Sequence, residues 1–161
     1  MVMFRMEVAG APIVSRMISR FADVTDDLSP AWKRIADDFL KVEARLFGSE
    51  GASGGEKWAP LSPAYAEWKE KHYPGKPILE REGDLMRSLV ERNSDHIERI
   101  SPDQLVLGTR DPKAMFHQRG TRIMPARPPI MLSDYDRTRW TKMIQRYLVE
   151  EATRLGLRDG F

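Results

Sequence analysis

The sequence contains no cysteine, which excludes disulfides, thiolate metal sites and a cysteine nucleophile together. Histidine is scarce. His72, His96 and His117 fall in three separate segments, with no HExxH-type spacing to bring two of them onto one metal ion. Charge of one sign is lacking as well: 26 Lys and Arg stand against 24 Asp and Glu, a formal net charge of +2. A cationic surface strong enough to hold nucleic acid by its field alone is therefore not implied. No stretch approaches the ~20 apolar residues of a membrane span, and the start MVMFRMEVAG has neither the cationic region nor the apolar core of a secretion signal. The expectation is a soluble product made in the cytoplasm, with no membrane partner.

Catalytic signatures are missing too. Ser62, Ser88 and Ser133 lie outside any GxSxG or SxxK context that would activate a hydroxyl, and two of them sit where helices should be capped. The neighbouring carboxylates Asp26 and Asp27, and Asp37 and Asp38, would project roughly 100° apart on a helix and not converge on one proton or metal. The glycines of GSEGASGGE fit neither GxxxxGK[ST] nor GxGxxG, so no phosphate cradle is indicated. These absences predict a chain that is not an enzyme and needs no cofactor and no metal.

What is present is ordinary for a folded protein: 161 residues, 41% of them hydrophobic, enough for one core and one domain spanning 1–161. Val2, Phe4, Met6 and Val8 alternate as in a strand. From Pro12 to Val24, Ile13, Val14, Met17, Ile18 and Phe21 follow helical spacing. Ser29 followed by Pro30 signals a cap and the start of a long helix reaching about residue 48, with Trp32, Ile35, Phe39 and Leu46 on its apolar stripe. Residues 49–57 are Gly/Ser-rich and read as a flexible loop. Ser62 and Pro63 open a helix of about ten residues that stops before Pro74, and residues 78–90 read as a short approach and a helix with Leu85 and Leu89 inward. Two short apolar runs around Ser101-Pro102-Asp103-Gln104 predict a β-hairpin. Residues 119–132, with Pro125, Pro128 and Pro129, read as an irregular loop, and Ser133 caps a final helix to about 154 whose stripe is Trp140, Met143, Ile144, Tyr147 and Leu148. The predicted class is α+β: a small antiparallel sheet with a hairpin, flanked by three to four helices.

The region 115–133, MFHQRGTRIMPARPPIMLS, combines exposed prolines, arginines and large apolar residues in one irregular stretch. Arg and Met favour interfaces, so this region either meets a partner or packs onto the chain's own sheet. A second functional reading uses Arg119, Arg122, Arg127, Arg137 and Arg139 as a small nucleic-acid-binding or regulatory surface. In RTRWTKMIQRY, however, the apolar residues fall at core spacing and leave the basic ones to coat the outside.

Four pieces, in order, are WAPLSPAYAEWK at 58–69, ILEREGDLMRSLV at 78–90, LVLGT at 105–109, and MFHQRGT through PARPPIMLS at 115–133. With these the chain resembles the virion morphogenesis family of tailed bacteriophages and prophages, the tail-completion proteins of the head-to-tail neck. The resemblance covers roughly 29–154, and it departs from the family pattern at Arg119 and Pro129, where aromatic residues are usual. It implies a structural protein that completes or terminates the tail and joins it to the head. The implied partners are further copies of itself in a ring of six, tail tube or tail terminator subunits, and head connector or stopper proteins. DNA would be met only as it passes through the ring lumen. Location in the virion neck or tail follows from the same resemblance. The interface candidates are Phe116, His117, Gln118, Gly120, Arg127, Pro128 and Ile130, with Gly120 permitting an unusual backbone angle and Arg127 held to pair with a neighbour's carboxylate. Trp58, Leu61, Tyr65, Leu79, Leu85, Leu89 and Trp140 are the expected structural anchors.

Overall fold

The computed structural model describes residues 11–157, so the expected strand at 2–8 lies outside the described residues. Helix α1 (Ala11–Asp26) leads into the central helix α2 (Ser29–Gly48). On α2, Ala31, Ile35, Phe39, Val42 and Leu46 recur every three or four residues and are all buried, the spacing that places them on one face. Ser29 does not cap this helix. It is the first helical residue, and the side chain of Asp27 accepts its amide hydrogen at 2.9 Å.

The later elements wrap that buried face. Helix α3 (Pro63–His72) and helix α4 (Asp84–Val90) are followed by strands β1 (His96–Ile100) and β2 (Leu105–Thr109), helix α5 (Lys113–Arg119) and helix α6 (Asp134–Arg154). The strands pair antiparallel, with Ile100 opposite Leu105, and Ser101–Gln104 close the hairpin as the sequence predicts. Leu85 and Leu89 of α4 join Phe39, Leu46, Phe47 and Trp58 in the core, with Ile78, Leu79, Leu107, Ile130, Met131 and Trp140 packed around it. Each such side chain, fully buried, contributes about 1.5–3 kcal/mol. The α+β class is as expected. The added element is α5, which the sequence reading leaves as an aromatic-His-Gln turn.

Helix α6 runs antiparallel to α2, and polar contacts fix the register. Arg45 meets Asp136 at 2.9 Å, the Trp140 indole donates to Asp38 at 2.7 Å, and Arg34 meets Glu150 at 2.9 Å. The start of α6 is a full capping box: Ser133 accepts the Asp136 amide, and Asp136 accepts the Ser133 amide. Ser88, buried beneath the hairpin, donates to the Leu85 carbonyl and accepts from Thr109, so its hydroxyl is a packing contact. None of the described helices is long and apolar enough to cross a membrane.

Residues 49–57 have a defined path. A 3-10 turn at Ala52–Gly54 follows Gly51, whose φ of 93° a side chain would resist. A Cβ at Gly51 would also stand 2.7 Å from the Trp58 indole. The amide of Trp58 donates to Glu50 at 2.7 Å, and the Glu50 carboxylate accepts the Ile78 amide at 2.9 Å. The loop expected from composition to be flexible is therefore hydrogen-bonded and packed against the core.

Candidate functional site

A groove of about 510 Å3 opens between α3, the turn at 79–83, α5 and the loop at 120–129. Its lining is largely apolar, with Leu61, Tyr65, Leu79, Leu85, Met124 and Pro125 contributing. Charged residues of both signs edge it: Glu80, Arg81 and Glu82 on the turn, Asp84 at the start of α4 and Lys113 on α5.

The loop wall is rigid for identifiable reasons. Arg127 is 4% exposed, and its guanidinium donates to the carbonyls of Ala59 and Pro60, each at 2.7 Å. The backbone amide of Arg127 donates to the His117 carbonyl at 2.8 Å, and the Gln118 side chain both donates to and accepts from the backbone of Ile130. The Trp58 indole donates to the Pro128 carbonyl at 2.9 Å. Gly120 has φ 71°, and a Cβ there would stand 2.8 Å from the Ala126 nitrogen and 2.9 Å from the Met124 oxygen. Only glycine fits, because the chain folds back on itself at that point.

Of the interface candidates, His117 and Arg127 line the groove, and the others lie on the same segment in different conditions. Phe116 is half exposed on the outer face of α5, beside Met115. His117, Pro128 and Ile130 are half-buried, and Gln118 is tied to Ile130. Arg127 corrects the sequence reading: its fork closes on this chain's own carbonyls, where a neighbour's carboxylate was expected. Arg127→Lys keeps the charge but replaces a fork by a point contact, and should cost about 2 kcal/mol in urea unfolding. An unchanged midpoint would mean that the clasp contributes nothing.

Among the expected anchors, Trp58, Leu85 and Leu89 are buried and Leu61, Leu79 and Trp140 are half-buried. Tyr65 is the exception, at 42% exposure. It stacks on Trp68, itself 41% exposed, at 5.5 Å between ring centres, and Trp68 stacks on His72 at 4.6 Å. The rings turn outward because the inward place on α3 is taken by Lys69, which is buried and whose ammonium donates to the Pro77 carbonyl. Burial pushes the Lys69 pKa down.

The sequence reading also missed Ile123, which is 90% exposed at the groove mouth. An isoleucine set among Gly120, Thr121 and Pro125, where a turn is expected, was the available signal. His117 borders the same groove. Burial, and secondarily the nearby Arg127 charge, hold its pKa below the usual value, and its Nδ1 is buried without a hydrogen-bond partner. A neutral imidazole there can give or take one hydrogen bond and brings no charge.

The arginine surface of the second functional reading does not form as a unit. Arg127 is buried, Arg139 is bound to Asp38 and Asp136, and Arg137 reaches the Leu132 carbonyl. Among the described residues no cluster of His, Asp and Glu could hold a metal. The arrangement offers a preformed apolar groove beside exposed aromatic and aliphatic side chains, which suits docking.

No curated protein and no solved structure matches the chain. The phage virion morphogenesis family matches it over residues 12–149, a span that takes in the core, the groove and both of its walls, and the chain belongs to that family.

Proposed function

We propose that this chain completes the phage tail and joins it to the head connector, working through contacts between subunits and not through catalysis. The family supplies a role in virion assembly. The observation that favours a docking role is the groove, apolar inside and charged at the edge, next to large side chains left in water. In this reading the single domain assembles as a ring of six copies at the neck, in contact with tail tube or terminator subunits on one side and head connector or stopper proteins on the other. DNA touches it only while passing through the lumen.

Disrupting the gene in the phage or prophage that encodes it, and viewing the lysate by electron microscopy, tests the assignment. The expected result is filled heads and separate tails that fail to join, with joining restored when the chain is supplied in trans. Joined, infectious particles in its absence would overturn it.

A further inference from the structure

The sheet has only two strands, which is marginal on its own and leaves backbone groups unpaired along each outer edge. The turn decides which groups these are. Ser101 and Gln104 exchange backbone hydrogen bonds, so Arg99 and Ile97 bond across to Val106 and Gly108, while Glu98 and Ile100 turn their amides and carbonyls outward. Helix α4 packs beside β2, which leaves β1 as the open edge. Along it the backbone groups of Glu98 and Ile100 have no partner among the described residues. Arg99 and Val106 stand in water on the outer face of the hairpin.

The far end of the chain supplies a segment of matching kind. Residues 2–8, outside the described residues, alternate Val2, Phe4, Met6 and Val8 with Met3, Arg5 and Glu7, and lead into α1. Helix α1 carries them away from the hairpin. Just after its end, the Leu28 amide donates to the Pro102 carbonyl at the hairpin tip, at 2.8 Å. From that point the hairpin runs along α2 toward Phe39, whose ring lies 6.4 Å from that of His96. Helix α1 runs the other way beside the last turns of α6, where the Tyr147 hydroxyl donates to the Asp27 carbonyl at 3.3 Å and Met17 lies against Gly156. Its 16 residues span about 24 Å, whereas the short link from Val8 to Ala11 reaches about 10 Å. The segment therefore cannot lie along its own β1.

We propose that residues 2–8 of one copy add to the β1 edge of a second copy as a third strand. This rests on the self-assembly proposed above and names the contact that carries it. The added strand meets the outward groups of Glu98 and Ile100 with the amides of Phe4 and Met6, and its side chains follow the pleat of β1. Val2, Phe4, Met6 and Val8 then lie on the inner face with Ile100, and Glu7 shares the outer face with Arg99, opposite in sign. Donor and acceptor stand at different ends of the domain, so each copy gives a strand to one neighbour and receives one from another. That head-to-tail arrangement is the kind that closes into rings.

Because the chain has no cysteine, introduced ones report a contact without background. Full-length Arg99→Cys mixed with Met3→Cys, Arg5→Cys or Glu7→Cys and mildly oxidised should give a two-chain product on a denaturing gel with at least one of the three. Glu67→Cys, exposed on α3, should give none. In sedimentation across concentration the wild type should exceed the 18.5 kDa of one copy. Phe4→Pro, which removes an amide facing β1, should weaken association roughly tenfold or more and leave the urea midpoint of the monomer unchanged. Cross-linking no greater than with Glu67→Cys would overturn the contact, as would a wild type that stays monomeric or Phe4→Pro assembling like the wild type. Closure only within one chain, when both cysteines are placed together, would overturn it by showing that the segment reaches its own sheet. Complementation separates this from the tail-completion role: head joining by Phe4→Pro would remove this contact and leave that role standing, whereas joined particles without the gene would remove the role and leave the cross-links standing.

Discussion

Trp58→Ala is expected to lower the unfolding free energy by about 4 kcal/mol, in the range seen when a large buried aromatic is cut back to a methyl. The residue is 4% exposed, and its ring meets Phe47 edge-to-face at 5.3 Å between centres. It also ties the nearby turn at 50–51 to the distant loop at Pro128. Its backbone amide holds Glu50, its indole nitrogen holds Pro128, and its ring closes over Gly51, which has no Cβ to obstruct it. Alanine would leave both a cavity and an unpaired Pro128 carbonyl. Trp58→Phe isolates the second effect: most of the ring stays, the hydrogen bond goes, and a loss of about 1–2 kcal/mol should remain. Because Ala59 and Pro60 next to Trp58 receive the Arg127 fork, Trp58→Ala and Arg127→Lys should be less than additive in a double-mutant cycle. Urea unfolding of the wild type and these four variants gives all these numbers, and a melt indistinguishable from wild type for Trp58→Ala would remove it from the core.

The same contacts show what the sequence could and could not disclose. Helices α2 and α6 were legible because their information is local: Pro30 at the start of one, the Ser133 and Asp136 box at the start of the other, and apolar residues every three or four positions along both. The hairpin was legible for the same reason, with Pro102 in a four-residue turn between two apolar runs. Helix α5 was not, because its largest apolar residues, Met115 and Phe116, are consecutive and face water, leaving no periodic stripe; Pro112 at its start and Gly120 at its end were the only punctuation.

At the candidate site the failures have one cause, which is that distant partners decide the outcome. Glycine in 49–57 looks like freedom in a linear reading, yet Gly51 is there to let Trp58 approach. Arg127 looks like an exposed cation between prolines, yet the carbonyls it grips lie 68 and 67 residues earlier. Tyr65 looks like a core anchor, yet Lys69 faces inward because the Pro77 carbonyl is there to receive it. The sequence singled out 115–133 as an unusual segment, while the groove that His117 and Arg127 of it line required the fold.

Glu43→Gln is expected to stabilise the protein by about 3 kcal/mol at pH 7 and to change it little at pH 4. Glu43 lies on the inward face of α2, fully buried, and neither carboxylate oxygen has a hydrogen-bond partner. Burial, reinforced by the charge of Asp136, pushes its pKa up to about 9 from an ordinary 4.5. Below pH 4.5 the acid is protonated in both folded and unfolded chains, and stability does not depend on it. Above that the unfolded chain releases the proton while the folded one keeps it, so stability falls as pH rises, by about 1.4 kcal/mol per pH unit until the folded pKa is reached. From 4.5 to 7 the loss is about 3 kcal/mol, and glutamine, which cannot ionise, escapes it. Subtracting the variant's stability curve from the wild type's removes contributions common to both, so the difference should grow steadily between pH 4.5 and 9. A flat difference would mean that Glu43 ionises inside the fold as readily as outside it, and the buried face of α2 would then have to admit water or a counter-charge.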